Sequence, residues 1–353
     1  MNATHFFLGA NSGRGFQSLF ERFCAPEDHY DLVVLKGGPG VGKSTMMRKI
    51  GEAMEERGEY LYCSGDPGSL DGVHIPRIGA AIVDGTAPHV IEPKYPAAAD
   101  RYVNLGEFYD IDAAKASREK VIRFTRAGSA AYQRAYRALG AARQMEDSAG
   151  ALAAEGLDAD KLRRRTDGII GREIRGRGSG GPDAYRFLGS LTCRGPVWRF
   201  DTVAELCPKV YQLQDPYGLA WPMLERIRAA AAGRDFRAVI CPDPEHPDRI
   251  QHLLLPELGL AFVTSRENMV YSGPVYRRVR LDAMVPPAHY KRYKARLRFT
   301  RRVAQALREE GLESLRDAKA AHDALEAVYR PHVDFAGVDA LTARELERME
   351  RRL

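Results

Sequence analysis

The sequence predicts an α/β protein made of two similar halves, each a mostly parallel sheet core followed by a long helical segment. Short apolar runs alternate with amphipathic stretches, a pattern typical of strands joined by crossover helices. Several short motifs of the first half recur in the second about 175 to 180 residues later. The chain has 353 residues, enough for two domains of ordinary size.

The first core is predicted from three strands and one helix. Residues 31–36, 59–64 and 79–84 are short apolar runs that predict buried strands. Apolar side chains recur at helical spacing after the first run, which predicts a helix over residues 43–57. Because strands alternate with a helix, the connections favour a mostly parallel sheet.

A glycine-rich stretch, GGPGVGKST, joins the first predicted strand to the predicted helix. It fits G-x-x-x-x-G-K-[ST], the pattern of a phosphate-binding loop, or P-loop. Glycines let backbone N–H groups turn inward around phosphate oxygens, and the helix N-terminus favours the anion. Lys43 would reach the β and γ phosphates, and the Ser44 hydroxyl would ligate Mg²⁺. The sequence therefore predicts that a nucleoside triphosphate and Mg²⁺ bind at Gly37, Gly38, Pro39, Gly40, Val41, Gly42, Lys43, Ser44 and Thr45.

The second half repeats the first in the same order. Residues 7–9 (FLG) recur as 187–189, and residues 76–83 (PRIGAAIV) correspond to 256–263 (PELGLAFV). The period is too long for a solenoid, so it indicates a duplicated P-loop NTPase-type core.

We expect four parts along the chain. Residues 1–112 form the core with the intact loop, and residues 113–182 a helical segment with a glycine-rich linker. Residues 183–285 form a second, degenerate core, and residues 286–353 a C-terminal helical segment. The helical segments are expected to pack as hairpins, against each other or against the cores. Their sequence lacks sustained heptads, the pattern of a coiled coil. Binding of another protein to these helices is an alternative role.

The second core is expected to keep the fold without the nucleotide. Alignment places Asp215 against Gly37, and residues 215–222 keep none of the fixed residues of the loop pattern. A carboxylate at this position would repel phosphate. One live site is therefore expected, in the first half.

The repeat also indicates an acid for the metal. P-loop proteins hold Mg²⁺ with the help of an acid at the end of a neighbouring strand. Asp84 follows four apolar residues and aligns with Thr264, so lysine, hydroxyl and acid are absent together from the second copy. This favours Ser44 and Asp84 as metal ligands, with Lys43 and Asp84 in catalysis. A turn aspartate that caps the strand is the alternative.

Further charged side chains follow the strand ends. Asp66 and Asp71 lie on the loop after residue 63, where they could bind Mg²⁺, orient a water or accept a proton. Asp71 is a tentative catalytic residue. For Asp66, a structural role in a turn is as good an explanation as a catalytic one. The other candidates for contact with a γ-phosphate or second substrate are His89, Lys94, Arg14 and Arg194.

Composition restricts location and partners. Hydrophobic residues make up 44% and charged residues 28%, as in a soluble globular protein. No apolar run is long enough to span a bilayer, and five cysteines without a C-x-x-C pair indicate reduced thiols in the cytoplasm. The net charge is +6, but basic residues are interleaved with acids, which does not favour a nucleic-acid partner. A basic run over residues 161–165 fits an exposed helix face better than a nucleic-acid or acidic-partner surface.

The chain resembles a bacterial family of uncharacterised tandem P-loop ATP-binding proteins, sometimes labelled nucleotide kinases. The stretches that carry the resemblance are residues 35–45, 66–72, 81–89 and 103–109. The match is dense over residues 5–110 and thin in the helical segments. The resemblance implies ATP binding and leaves the acceptor open. The family's second half often keeps a phosphate loop, and this chain departs from that.

Together these observations predict an ATPase with one live site that uses Mg²⁺. A kinase for a small-molecule or nucleotide acceptor is the first alternative. A nucleotide-sensing scaffold without turnover is the second, and a nucleic-acid-linked ATPase is a weaker third.

Overall fold

The computed structural model describes residues 3–24, 30–54 and 58–352. The strands are β1 (Thr4–Phe7), β2 (Gly9–Ser12), β3 (Gly15–Ser18), β4 (Asp31–Lys36), β5 (Glu59–Tyr62), β6 (Leu70–Ile75), β7 (Ala80–Asp84), β8 (Asp100–Asn104), β9 (Ala184–Tyr185), β10 (Gly189–Thr192), β11 (Gly195–Trp198), β12 (Lys209–Gln214), β13 (Val239–Asp243), β14 (His246–Leu255), β15 (Leu260–Ser265) and β16 (Arg277–Arg280). The α-helices are α1 (Phe20–Phe23), α2 (Lys43–Ala53), α3 (Ile111–Ala116), α4 (Arg118–Ala154), α5 (Ala159–Glu173), α6 (Asp201–Leu206), α7 (Trp221–Ala232), α8 (Pro287–Tyr329) and α9 (Phe335–Glu350).

Two six-stranded sheets share one strand order. The first runs β1-β5-β6-β7-β4-β8 and the second β9-β13-β14-β15-β12-β16. In each sheet three neighbouring pairs are parallel, and one strand, β6 or β14, is antiparallel to both neighbours. The predicted α/β class with two mostly parallel sheets and long helices is confirmed.

The elements around the glycine loop lie close to their predicted bounds. Strand β4 covers residues 31–36 as predicted, and α2 begins at the predicted residue. The last residues of the predicted helix, 55–57, lie outside the described residues. Strand β5 ends at Tyr62, two residues early. Strand β6 was missed, because the sequence LDGVHI interrupts its apolar residues with Asp, Gly and His.

The two sheets pack face to face through one apolar core. Side chains alternate along each strand, so each strand serves two faces. On the inner faces, Leu32 and Val34 of β4 share a core with Val210 and Val263 of the second sheet. On the outer face, Val33 belongs to a separate core under α2 and α9. Each sheet is therefore covered on both sides.

Residues that the repeat equates in sequence also pair in space. The N–H group of Phe7 donates to the carbonyl of Phe187 at 2.9 Å, and the reverse bond has the same length. Such reciprocal pairing is what a two-fold relation between similar halves produces. Beside it, the Asn11 N–H donates to Ser190 Oγ at 3.1 Å, and Asn11 Nδ2 donates to the Leu191 carbonyl at 2.8 Å. The hairpins β2–β3 and β10–β11 thus join the two halves.

The long helices α4 and α8 pack antiparallel against each other. Arg134 pairs with Asp317 at 2.9 Å, and a Cβ added at Gly311 would lie 2.7 Å from the Leu139 side chain. Helix α4 spans 37 residues and α8 spans 43, so this pair extends across both halves of the molecule. The structure shows both arrangements expected for the helical segments, since α4 and α8 pack against each other while α5 and α9 pack against the cores.

The helices that follow the long pair cover the opposite half. Helix α5 comes after the first sheet, yet its Leu162 and Ile169 belong to the outer core of the second sheet. Helix α9 comes after the second sheet, yet its Val338 and Met349 belong to the outer core of the first. The two halves are therefore interleaved along the chain.

The glycine-rich segment 176–182, expected to be a flexible linker, packs on the end of α7. Gly178 donates to the carbonyl of Arg234 and Gly180 to that of Asp235, both at 2.8 Å. A Cβ at Gly178 would lie 2.3 Å from the Asp235 carbonyl oxygen, so glycine permits this close approach.

All five cysteines are free thiols, in accordance with the expectation from their spacing. Burial raises the pKa of Cys24 and of Cys207 to about 12, as expected for core residues. No helix in the described ranges is long and apolar enough to cross a membrane.

A buried ion pair joins the halves at the edge of their common core. Arg186 Nη2 donates to Glu59 Oε2 at 2.9 Å, and Arg186 Nε donates to the other carboxylate oxygen. His74 Nδ1 lies 3.2 Å from the same carboxylate. Burial opposes ionisation of Glu59, but Arg186 and His74 hold its pKa below the ordinary value.

We predict that Glu59→Gln lowers the free energy of unfolding by about 3–5 kcal/mol, because it leaves the Arg186 charge buried and uncompensated. Urea denaturation at pH 7 measures the change. The exposed Glu155→Gln is the matched control and should stay within about 0.5 kcal/mol of the natural chain. Since the Glu59 pKa is lowered, its contribution is present above the ordinary carboxyl pKa and disappears as the pH falls below it. Equal stability of the two variants would contradict this role.

Candidate functional site

The glycine loop lies at the carboxyl end of β4 and leads directly into α2. Gly40 and Gly42 have φ of 75° and 98°, in the left-handed region that favours glycine. Helix geometry leaves the N–H groups of Lys43, Ser44 and Thr45 without an intrahelical acceptor. The loop therefore presents a row of donors at the positive end of a helix, the arrangement that binds phosphate.

Lys43 and Ser44 are held in place by short contacts. Lys43 Nζ donates to the carbonyls of Gly37 at 2.6 Å and Gly38 at 3.1 Å, and lies 3.5 Å from Asp84 Oδ2. Ser44 Oγ accepts the N–H of Leu70 at 2.9 Å. The structure thus brings together the lysine and the acid that the sequence proposed as partners.

Asp84 ends β7, the strand next to β4. It pairs with Leu35 in the first sheet, and Thr264 pairs with Leu213 in the second, so both hold the same register position. Asp84 Oδ1 accepts the Thr86 N–H at 2.9 Å and its hydroxyl at 2.6 Å. One oxygen therefore caps the turn, as the alternative interpretation expected, while the other faces Lys43.

Asp71 and His89 form a buried pair behind this cluster. Asp71 Oδ1 lies 3.8 Å from His89 Nε2, and Asp71 Oδ2 has no hydrogen-bond partner in the part of the chain that the structure describes. Burial raises the Asp71 pKa to about 6, with the Asp84 charge acting in the same direction and His89 opposing it. The His89 ring stacks on Phe20 at 4.4 Å, so packing holds it in place.

Asp66 is engaged by other groups. Its carboxylate accepts the Gly68 N–H at 3.0 Å, as in a turn, and lies 3.4 Å from both Lys319 Nζ and Arg194 Nη2. Arg194 therefore reaches the first half from the second, but its described ion pair is with Asp66.

The other two sequence candidates lie outside the Lys43 cluster. Lys94 and Arg14 donate through their backbone N–H groups, to Asp100 Oδ2 at 2.7 Å and Ser12 Oγ at 3.0 Å. No side-chain contact joins either of them to Lys43 among the described residues.

Residues distant in sequence cover the loop, and the motif analysis missed them. The Tyr109 hydroxyl donates to the Pro39 carbonyl at 2.7 Å. At the end of α8, Glu326 accepts the Gly40 N–H, and the Arg330 side chain lies so close that a Cβ on Gly40 would be 3.0 Å from it. A hydrogen bond from His322, with that from Gly40 and nearby positive charge, lowers the pKa of Glu326. Local motifs contain no signal for these contacts.

A small cavity of about 280 Å³ adjoins the start of α2. Thr45 and Lys49 line one side, and Arg330, Phe335 and Val338 line the other. It lies beside the donors of the loop, between α2 and the C-terminal helix.

A larger cavity of about 1050 Å³ lies at the corresponding edge of the second sheet. There Asp215 accepts the N–H groups of Leu219 at 2.7 Å and Ala220 at 2.9 Å, the two residues that precede α7. These two loop donors are therefore occupied by the protein's own carboxylate.

Comparison with models of known protein families gave no match, and no characterised protein or solved structure matched the chain. Within the described ranges, no group of three or more His, Cys, Asp or Glu side chains is arranged to hold a metal ion. A site for Mg²⁺ would therefore depend on one or two protein oxygens together with the phosphates of a nucleotide.

We predict that Asp71→Asn raises the free energy of unfolding at pH 7.5 by about 1–3 kcal/mol, because it removes a buried charge. With a folded pKa of about 6, Asp71 costs the natural chain stability as the pH rises from about 4 through 6. The gain should therefore disappear near pH 4. Calorimetric melting at both pH values measures it, and the exposed Asp112→Asn serves as control. An Asp71→Asn variant that is destabilised at pH 7.5 would contradict this assignment.

Proposed function

We propose that the chain is an ATP-binding P-loop NTPase with one nucleotide site, in the N-terminal half, that hydrolyses ATP with Mg²⁺. The observation that carries this is the position of Lys43 Nζ, between the loop carbonyls and Asp84 Oδ2 at the carboxyl edge of the sheet. In open α/β sheets, ligands bind at this edge.

Each group has a role that follows from its chemistry. The N–H groups of Lys43, Ser44 and Thr45 bind phosphate oxygens, and Lys43 stabilises charge that develops on the γ-phosphate. Ser44 Oγ and the Asp84 carboxylate are hard oxygen donors, which fit Mg²⁺. These two groups would hold Mg²⁺, which would neutralise part of the phosphate charge.

The small cavity supports a nucleoside beside the loop. Phe335 and Val338 offer apolar surface for a base, and Asp339 and Thr342 offer polar groups. A ring bound here would lie between α2 and α9.

Hydrolysis is favoured over transfer to a second substrate. A kinase needs an acceptor pocket near Asp66, Asp71 and His89. Asp71 and His89 are buried, with 4% and 7% of their surface exposed, and Asp66 is paired with Lys319 and Arg194. Asp71, with its pKa raised to about 6, suits a base that accepts a proton from water.

We further infer that the two halves arose by duplication of one P-loop-type core. Their identical strand order and the reciprocal bonds between Phe7 and Phe187 support this. The resemblance to tandem P-loop ATP-binding proteins is consistent with the same origin.

We predict that Lys43→Ala lowers ATP affinity at least about tenfold, because it removes a charge-assisted contact to phosphate. Calorimetric titration measures binding, and the exposed Lys115→Ala makes the same charge change outside the site. Retained affinity would refute the site. Phosphate release from ATP, alone and with a panel of nucleosides and nucleotides, then separates the alternatives. Stimulation by one acceptor with phosphorylated product indicates a kinase, and binding without turnover indicates a sensing scaffold.

We predict that Asp84→Asn lowers turnover on the order of 100-fold and weakens Mg²⁺ dependence, with a smaller effect on ATP affinity. Steady-state rates over a range of Mg²⁺ concentrations measure this. The loss of metal dependence in Asp71→Asn instead would show that Asp71 is the metal acid.

A further inference from the structure

The large cavity of the second half is chemically different from the P-loop site. Since Asp215 already accepts the N–H groups of Leu219 and Ala220, just before α7, these two loop donors are not free for an added anion. The cavity is nevertheless about 1050 Å³, at the upper end of the size of small-molecule sites. A ligand bound in this cavity would therefore be recognised by the side chains of its walls and not by the loop.

The walls hold seven arginine or lysine side chains and seven aspartate or glutamate side chains, so what matters is which of them are paired. Several acids of the lining have partners, for Glu146 pairs with Arg308 and Asp147 with His246. Burial raises the pKa of Glu245 to about 7, and its carboxylate accepts the Gly13 N–H.

Four cations of the lining form no such ion pair among the described residues, and one of them, Arg249, lies over the Trp221 ring. The other three are Arg266, Lys294 and Arg298.

Arg266 is half-buried just after β15, where a bond between its N–H and the Met269 carbonyl at 3.0 Å fixes the turn. Burial raises the pKa of the nearby Asp215 and Glu245 carboxyls, and the Arg266 charge opposes this, but neither acid forms an ion pair with the guanidinium. A guanidinium that is free of an ion pair is suited to bind a phosphate or carboxylate with two parallel hydrogen bonds.

Aromatic surface accompanies these cations. Trp221, at the first turn of α7, is 39% exposed, and the Arg249 guanidinium lies 5.3 Å from its ring centre. Tyr217 stacks on Tyr290 at 5.4 Å, and the buried Tyr290 hydroxyl lacks a hydrogen-bond partner within the described residues. The cavity thus combines flat rings with unpaired cations.

We propose that this cavity binds a small organic anion in which a phosphate or carboxylate group is attached to a planar ring. Arg266 holds the charged group, Lys294 and Arg298 add positive charge from the wall formed by α8, and Trp221 contacts the ring. The site is separate from the ATP site. Along α8, Lys294 and Glu326 are 32 residues apart, a distance of about 48 Å.

Trp221 provides the test, because the chain has two tryptophans. In a Trp198→Phe, Lys43→Ala background, Trp221 is the sole tryptophan and the P-loop lysine is absent. The probes form two matched pairs: adenosine monophosphate with adenosine, and nicotinate with nicotinamide. A response to adenosine monophosphate indicates a phosphate ligand, and a response to nicotinate indicates a carboxylate ligand. We expect saturable change of Trp221 emission with at least one charged probe, at least tenfold tighter than with its uncharged partner.

Arg266→Ala should weaken that binding at least tenfold, whereas the exposed Arg302→Ala, outside the cavity lining, should leave it unchanged. No saturable response to either charged probe, equal binding of charged and uncharged partners, or undiminished binding in Arg266→Ala would overturn the proposal. If the background variant does not fold, calorimetric titration of the otherwise natural chain and of Arg266→Ala with nicotinate gives the same comparison. Nicotinate has no phosphate for the P-loop, so this result is independent of the ATP site.

Discussion

The two sheets depend on each other, because the inner face of each is covered by the inner face of the other. Leu32 and Val34 pack with Val210 and Val263 in one continuous core, and the reciprocal bonds between Phe7 and the second half fix how the sheets meet. Removing either half would expose an apolar face of six strands to water. The halves are therefore similar in strand order but not independent in their packing.

This dependence determines where the helices lie. Helix α4 carries the chain from the first sheet to the outer face of the second, and α8 carries it back to the first. As a result, α8 lines the large cavity with Lys294 and Arg298 at one end and contacts Gly40 through Glu326 at the other. The glycine loop is thus contacted by Glu326 from the second half, and the large cavity is lined in part by Arg143 of α4 from the first half.

Local patterns predicted the strand, loop and helix around Lys43, because apolar spacing and loop glycines express nearby geometry. The repeat predicted that Asp84 and Thr264 correspond, and strand register confirms it. Strand β6 was missed since it is antiparallel and poorly alternating. Contacts of Tyr109 and Glu326 with the loop could not be predicted, because they depend on how distant helices pack.

The sequence shows which residues of the loop motif the second half lacks. The structure shows which groups lie at the corresponding edge of its sheet. At the first edge, the proposed phosphate site consists of backbone donors and Lys43. At the second edge, Asp215 satisfies two backbone donors of the loop, and the unpaired cations are on the walls instead. A backbone loop is shaped for tetrahedral phosphate. A planar guanidinium, in contrast, donates paired hydrogen bonds to a carboxylate as well as to a phosphate. On the two proposals, the first edge would therefore recognise an anion mainly through a backbone loop, and the second through side-chain cations.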